Sequence, residues 1–168
     1  MTAPGSVRRV GGGRVEIRFE RRLSHAPAKV WRALTDPAEL RGWRFPAVVS
    51  LDPTPGAILY FHPTDEQRER FGVAPEPVTG RMIAADPPRL LEYTWGTETL
   101  RWELTPDGDG CRLVFVNTID DDGAGPAVAG GWHAGLDLLE AALAGRGIDT
   151  DDAWQRAADL QTQYEEQS

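Results

Sequence analysis

Few side chains in this 168-residue sequence could do acid–base or nucleophilic work, and their spacing matches no established catalytic pattern. The three histidines, His25, His62 and His133, lie far apart. His133 stands four residues before Asp137, a spacing that makes neighbours on a helix, so a local pair is expected and a general-base or ligand role is the alternative. His62 ends an apolar segment and reads as a strand edge; His25 reads as a surface turn residue. Lys29, the only lysine, follows no phosphate loop. Cys111 is the only cysteine, which rules out an intrachain disulfide and a cysteine metal cluster. There is no His-Glu-x-x-His, Gly-x-Ser-x-Gly or Cys-x-x-Cys. Gly123-x-Gly125 follows a hairpin rather than opening a βαβ unit, so it is no dinucleotide site. No metal or tightly held cofactor is expected.

The remaining chemical signal is aromatic and amide. Tyr93 and Trp95, Trp102, Phe115 and Trp132 fall at positions whose parity or helical phase directs them to one interior. Each offers a large flat surface, and Tyr and Trp add a polar handle. Asn117 shares parity with Leu113 and Phe115 and should also point inward. A buried amide needs partners, so Asn117 either bonds a neighbouring side chain or orients a ligand.

The elements that position these residues are legible from periodicity. Trp132, Leu136, Leu139 and Leu143, at i, i+4, i+7 and i+11, form the apolar stripe of a helix within 130–143. Strand-like segments precede it, and their combined apolar face is the surface that can bury this stripe. Arg14 to Leu23 alternates, with Val15, Ile17 and Phe19 on one face and arginines expected outside. Pro27 opens a short helix with Val30, Trp31 and Leu34 as its buried side. Asp36, Pro37 and Glu39 start a second in capping-box order, with Leu40 and Trp43 inward. Further strands are expected at 47–51, 57–62, 78–85, 89–95, 98–105 and 111–119, with Gly96-Thr97 joining the clearest hairpin. Pro63 to Pro77 reads as a mobile, charged loop. A last amphipathic helix over 152–167 carries Trp154, Ala157, Leu160 and Tyr164.

Composition bounds the rest. One domain spans the chain, with a flexible tail over 1–13, a core over 14–146 and a helical extension over 147–168. The balance of 40% hydrophobic and 26% charged residues is that of an ordinary globular protein. The net charge of −8 divides into +6 over Met1–Arg44 and −14 over Phe45–Ser168. The acidic remainder repels phosphates, so no nucleic-acid partner is expected. No apolar run reaches the roughly 20 residues that span a bilayer, and the N-terminus lacks a signal-peptide core, so a cytoplasmic protein without membrane insertion is expected.

The order of elements, with Ala26-Pro27-Ala28-Lys29-Val30-Trp31-Arg32-Ala33-Leu34-Thr35-Asp36-Pro37, Trp43, Pro55-Gly56, Gly80-Arg81, Asp86-Pro87-Pro88-Arg89-Leu90, Asp109-Gly110-Cys111-Arg112-Leu113 and Gly131-Trp132, carries a resemblance. It resembles the bacterial proteins related to the C-terminal domain of the activator of the Hsp90 ATPase, in the START/Bet v 1-like (SRPBCC) superfamily. The resemblance covers roughly residues 14–145. It implies an α+β helix-grip fold, a curved antiparallel sheet wrapped around a long helix, often with an internal hydrophobic cavity. The chain departs from the family in carrying Asn117 where relatives often have histidine, a lone Trp43 where an aromatic pair is common, and a helix after Gly147. That helix would cover the cavity mouth or form an oligomer contact, with a homodimer as one outcome.

The expected cavity lining is Trp43, Phe61, Met82, Tyr93, Trp95, Trp102, Phe115, Asn117, Trp132, Leu136 and Leu139. The first functional reading is non-enzymatic binding of a small hydrophobic or aromatic molecule. The alternatives are a cyclase/aromatase- or hydrolase-like enzyme using Asn117, Tyr93 and His133, and a co-chaperone-like interaction module. Two or more convergent titratable groups in the pocket would favour catalysis, and one lone amide would favour binding.

Overall fold

In the computed structural model, residues 3–43, 48–50, 52–62, 65, 69, 78–146 and 150–167 are described. The strands are β1 (Ser6–Val10), β2 (Arg14–Leu23), β3 (Val48–Ser50), β4 (Ile58–His62), β5 (Val78–Asp86), β6 (Leu90–Trp95), β7 (Glu98–Asp107) and β8 (Gly110–Asp120). The helices among the described residues are α1 (Pro27–Thr35), α2 (Pro37–Trp43), α3 (Gly125–Leu143) and α4 (Thr150–Gln167). All eight strands join one antiparallel sheet in the order β1-β2-β8-β7-β6-β5-β4-β3. This is the helix-grip arrangement, with α3 lying on the concave face.

The alternation in the sequence sets the two faces. Val15, Ile17, Phe19 and Leu23 of β2 are buried, as are Leu113, Phe115, Asn117 and Ile119 of β8. Cross-strand register stacks them: Phe19 pairs with Phe115, Phe115 with Trp102, and Trp102 with Leu91. The tight turns fall where predicted, at Gly96-Thr97 and at Gly108-Asp109, with Gly96 and Gly108 at positive φ.

Local signals explain the helix starts. Asp36 Oδ1 accepts from the N–H of Ala38 at 2.8 Å and of Glu39 at 3.3 Å, so it caps α2 as its place before Pro37 predicts. Glu39 does not complete a capping box; its carboxylate pairs with Arg32 at 2.9 Å. Lys29 Nζ donates to the carbonyl of Leu143 at 2.9 Å, so the chain's single lysine caps the C-terminus of α3. The helix α3 starts at Gly125, five residues before the stripe-bearing stretch singled out from the sequence.

Two expectations are corrected. The segment read as a flexible tail holds β1, whose register with β2 runs from Ser6–Arg18 to Val10–Arg14. The glycine run that suggested flexibility is the hairpin turn itself, with Gly12 and Gly13 at positive φ. Arg21 is not on the outer face with Arg18 and Arg22. It shares parity with Phe19 and Leu23 and is buried under α3. The charged stretch 63–77 lies outside the described residues apart from 65 and 69.

The helix α4 packs within the chain. A Cβ at Gly130 would lie 2.7 Å from the carbonyl oxygen of Ala157 and the amide nitrogen of Gln161, so glycine is what lets the α3 and α4 backbones approach.

Candidate functional site

The concave face divides into two neighbourhoods. The first is aromatic and is built by α2, α3 and strands β4 to β8. Trp102, in the middle of the sheet on β7, meets Phe115 at 4.0 Å between ring centroids, Trp132 at 5.7 Å and Trp43 at 6.3 Å. Phe115 and Trp132 are 4.4 Å apart. A second stack sits towards the β4 end of the sheet, where Phe61 lies 4.9 Å from Trp95 and 5.9 Å from Tyr93. These separations are those of attractive aromatic pairs. Met82 faces the same way beside Tyr93, and Leu136 and Leu139 come down from α3. All eleven residues expected at the lining are therefore on or against this face, and all but the half-buried Trp95 are buried. Trp43, Trp102, Phe115 and Trp132 pack ring against ring in one group, and Phe61, Tyr93 and Trp95 in another.

The polar atoms of this neighbourhood can be followed one by one. Trp43 Nε1 donates to the carbonyl of Ala33 at 2.8 Å. Trp132 Nε1 donates to Asn117 Oδ1 at 3.2 Å, and Asn117 Nδ2 donates to the carbonyl of Thr99 at 3.0 Å. Both ends of the Asn117 amide are engaged by neighbours, the first of the two roles considered for it. Trp102 is different. Its indole N–H is buried and has no hydrogen-bond partner. Above the cluster, α3 carries Gly131, over which a Cβ would meet nothing within 4 Å.

The second neighbourhood is polar and lies under α4. His133 Nδ1 and the Tyr164 hydroxyl are 2.9 Å apart, and the same hydroxyl accepts the Gly5 N–H at 2.7 Å. Burial holds the His133 imidazole below its usual range and the Tyr164 phenol above its own. Both groups are therefore held neutral, and one hydrogen bond joins them, its direction set by the imidazole tautomer. His133 thus makes a contact with α4 and also feels the carboxylate of Asp137, the neighbour expected from spacing. Asp137 pairs as well with Arg21, at 2.7 Å, and with Arg156. Arg21 Nη1 also reaches Glu140 at 2.8 Å, and its guanidinium lies 5.9 Å from the centre of the Phe19 ring. This network ties β2, α3 and α4 together, and its parity signal in β2 was available in the sequence.

The two titratable groups within hydrogen-bond reach, His133 and Tyr164, are thus spent on holding elements together. Arg21, Asn117 and His133 are the buried polar or charged side chains among the described residues, and of these Asn117 alone belongs to the aromatic neighbourhood. The side chain of His62 lies outside the described residues. His25 is a surface neighbour of Lys29, with Nδ1 3.3 Å from Nζ, and its imidazole is held low by burial and then by that ammonium. Among the described residues no group of three or more His, Cys, Asp or Glu is placed to hold a metal ion, and no helix is long and apolar enough to cross a membrane.

A family model described as activator of Hsp90 ATPase homolog 1-like protein matches residues 24–144. The chain belongs to this family. Among solved structures, it is similar to the protein encoded by BPP1335 from Bordetella parapertussis, at 29% identity and a TM-score of 0.73, over 98% of this chain and 94% of that one. It is also similar to CalU16 from Micromonospora echinospora, at 17% identity and a TM-score of 0.68, over 95% and 94% of the two chains. A conserved protein of unknown function, EF2215 from Enterococcus faecalis, gives 18% identity and a TM-score of 0.67, over 95% and 91%. The last two establish the fold alone. No functionally curated protein matches the chain. The match to BPP1335 extends beyond the family core and covers almost the whole chain, including the lengths that hold β1 and α4.

Proposed function

We propose that the protein binds a small, uncharged hydrophobic or aromatic molecule between the concave sheet face and α3. The observation that carries this reading is the composition of the aromatic neighbourhood. Its rings present large apolar surfaces, and its amide is neutral and already hydrogen-bonded. Such a surface rewards burial of an apolar guest and penalises a charged one. Proton-transfer chemistry is not supported, because the paired titratable groups His133 and Tyr164 lie in the other neighbourhood. A cytoplasmic setting goes with this reading, supported by the single buried free thiol of Cys111. The test is native mass spectrometry of protein purified from its own host, paired with titration of a fluorescent apolar probe such as Nile red. Recovery of no small molecule and no saturable probe binding would sink the proposal.

A second reading, a protein-interaction module, is favoured by one specific observation. Ile58 and Tyr60, on the opposite side of β4 from Leu59 and Phe61, are about half exposed, at 51% and 48%, with Ile83 of neighbouring β5 at 44%. Exposed apolar groups gathered on one sheet face mark candidate contact surfaces. The family description makes Hsp90 the partner to try first. The expected result under this reading is stimulation of the Hsp90 ATPase that is lost in Tyr60→Ser/Ile83→Ser. Equal ATPase rates with and without the protein would exclude that partner.

A further inference from the structure

We infer that the indole N–H of Trp102 is the anchor for the guest, and that the guest is an aromatic or alicyclic molecule bearing a neutral hydrogen-bond acceptor such as a ketone or ester carbonyl. This rests on the binding function proposed above and specifies the ligand's chemistry. An indole nitrogen can only donate, so its hydrogen bond must be completed by an acceptor from elsewhere. Three tryptophans converge here. Trp43 gives its N–H to the carbonyl of Ala33 and Trp132 gives its own to Asn117. Trp102 is 1% exposed, and its N–H has no partner. Leaving a buried donor unmet carries a desolvation cost comparable with the loss of a core methylene or two. Of the donors of Trp43, Trp102, Asn117 and Trp132, the Trp102 N–H is the one left unmatched.

The acceptor it calls for is neutral. Among the described residues Asn117 is the only buried polar or charged side chain of this neighbourhood, and its amide is committed to Thr99 and Trp132. A carboxylate would thus have one indole donor and no counter-charge, too little to offset its desolvation. A carbonyl needs one good donor and otherwise apolar walls, which the rings of Trp43, Phe115 and Trp132 supply. Trp102 is sealed beneath those rings, so a guest reaches it by parting them. Trp132 is the most exposed of the three, at 8%, which makes it the ring to move. The competing structural account is that the N–H points at a ring face and makes a weak N–H···π contact.

The test uses benzophenone and diphenylmethane, which share shape but differ by a carbonyl in place of a methylene. Dissociation constants of both are measured for the full-length wild type and Trp102→Phe, and the indole N–H resonances of the ¹⁵N-labelled wild type are followed during each titration. The ratio of benzophenone to diphenylmethane affinity is expected to fall about 2- to 10-fold in Trp102→Phe, the worth of one net hydrogen bond. The Trp102 N–H resonance is expected to move downfield with benzophenone and not with diphenylmethane. Should Trp102→Phe fail to fold, the wild-type resonance decides alone. An unchanged ratio, or a Trp102 resonance that responds alike to both compounds, overturns the anchor while leaving apolar binding intact. Failure of either compound to bind, together with failure of Nile red, overturns the binding function and this inference with it.

Discussion

The two neighbourhoods of the concave face solve the same problem, burying polar atoms under a helix, in opposite ways. Under α4, the polar groups of β2, α3 and the chain's start are cross-linked. Arg21 bridges Asp137 and Glu140, Arg156 joins Asp137, and Tyr164 links His133 to the Gly5 N–H. Under the other side of α3, rings replace ions, and the Trp102 N–H is left without an acceptor, as Arg21 Nε and Nη2 are on the ionic side. Cross-linked polar groups fix a geometry, because each depends on the others' positions. Ring-on-ring contacts tolerate sliding, because dispersion is non-directional and aromatic pairs accept several orientations. The ionic side therefore reads as the clasp of the fold and the aromatic side as the part able to admit a guest.

The largest predicted effect breaks the aromatic side. Trp132→Ala removes a ring that contacts both Trp102 and Phe115 and leaves Asn117 Oδ1 without its donor. A loss of about 3–5 kcal/mol is expected in urea denaturation, the usual range for deleting a large core side chain. If the site yields around a guest, the same variant will also change Nile red binding sharply. A stability loss below about 1 kcal/mol would show that this ring is not packed as described.

The next effect breaks the clasp. Arg21→Ala removes the cation that Asp137 and Glu140 share, with Arg156 still beside Asp137, so a loss of about 3 kcal/mol is expected, at the lower end for breaking a buried ion pair because Glu140 is partly exposed. Nile red binding should persist once the variant is folded, since Arg21 does not touch the aromatic cluster. Loss of probe binding at full folding would erase the distinction between the two neighbourhoods. A smaller loss, about 1–2 kcal/mol, is expected for Tyr164→Phe, which strands the Gly5 N–H and His133 Nδ1. Hydrogen exchange should quicken in β1 and α4 before it does in β6 and β7.

The aromatic side was far more legible in the sequence than the clasp. Period-two alternation in β6 to β8 and the i, i+4, i+7 stripe of α3 are local signals, and they assign the facing of Tyr93, Trp95, Trp102, Phe115, Asn117, Trp132, Leu136 and Leu139. Arg21 was readable by the same parity but was grouped with the arginines around it, because charge outweighed position. The Tyr164–His133 bond spans 31 residues and depends on how α4 docks, which no local pattern encodes. The Gly11–Gly13 run carried two meanings, flexible tail or positive-φ turn, and only pairing with β2 selects the second. That Trp102 lacks an acceptor is a property of the assembled cluster and has no sequence signature.

The smallest effect sharpens the comparison through pH. His133 is held below its ordinary value of 6.5 first by burial and then by Arg21 and Arg156, with Asp137 opposing. Tyr164, Asp137, Arg21 and Arg156 are the titratable groups that face it from β2, α3 and α4. With the folded pKa lowered, the unfolded chain takes up this proton first as pH falls. Stability is therefore complete above about 6.5, declines as pH drops below that value, and stops declining on this account once the folded pKa is passed. One proton limits the slope to about 1.4 kcal/mol per pH unit. Most carboxylates titrate lower, near 4, so urea melts between pH 7.5 and 5.5 report on the histidines, and the His133→Gln variant separates His133 from His25, whose imidazole is also held low. The slope should be present in the wild type and in Trp132→Ala and reduced in His133→Gln. A slope retained in His133→Gln would mean that the clasp is not where this proton is felt, and that another group senses acid in this range.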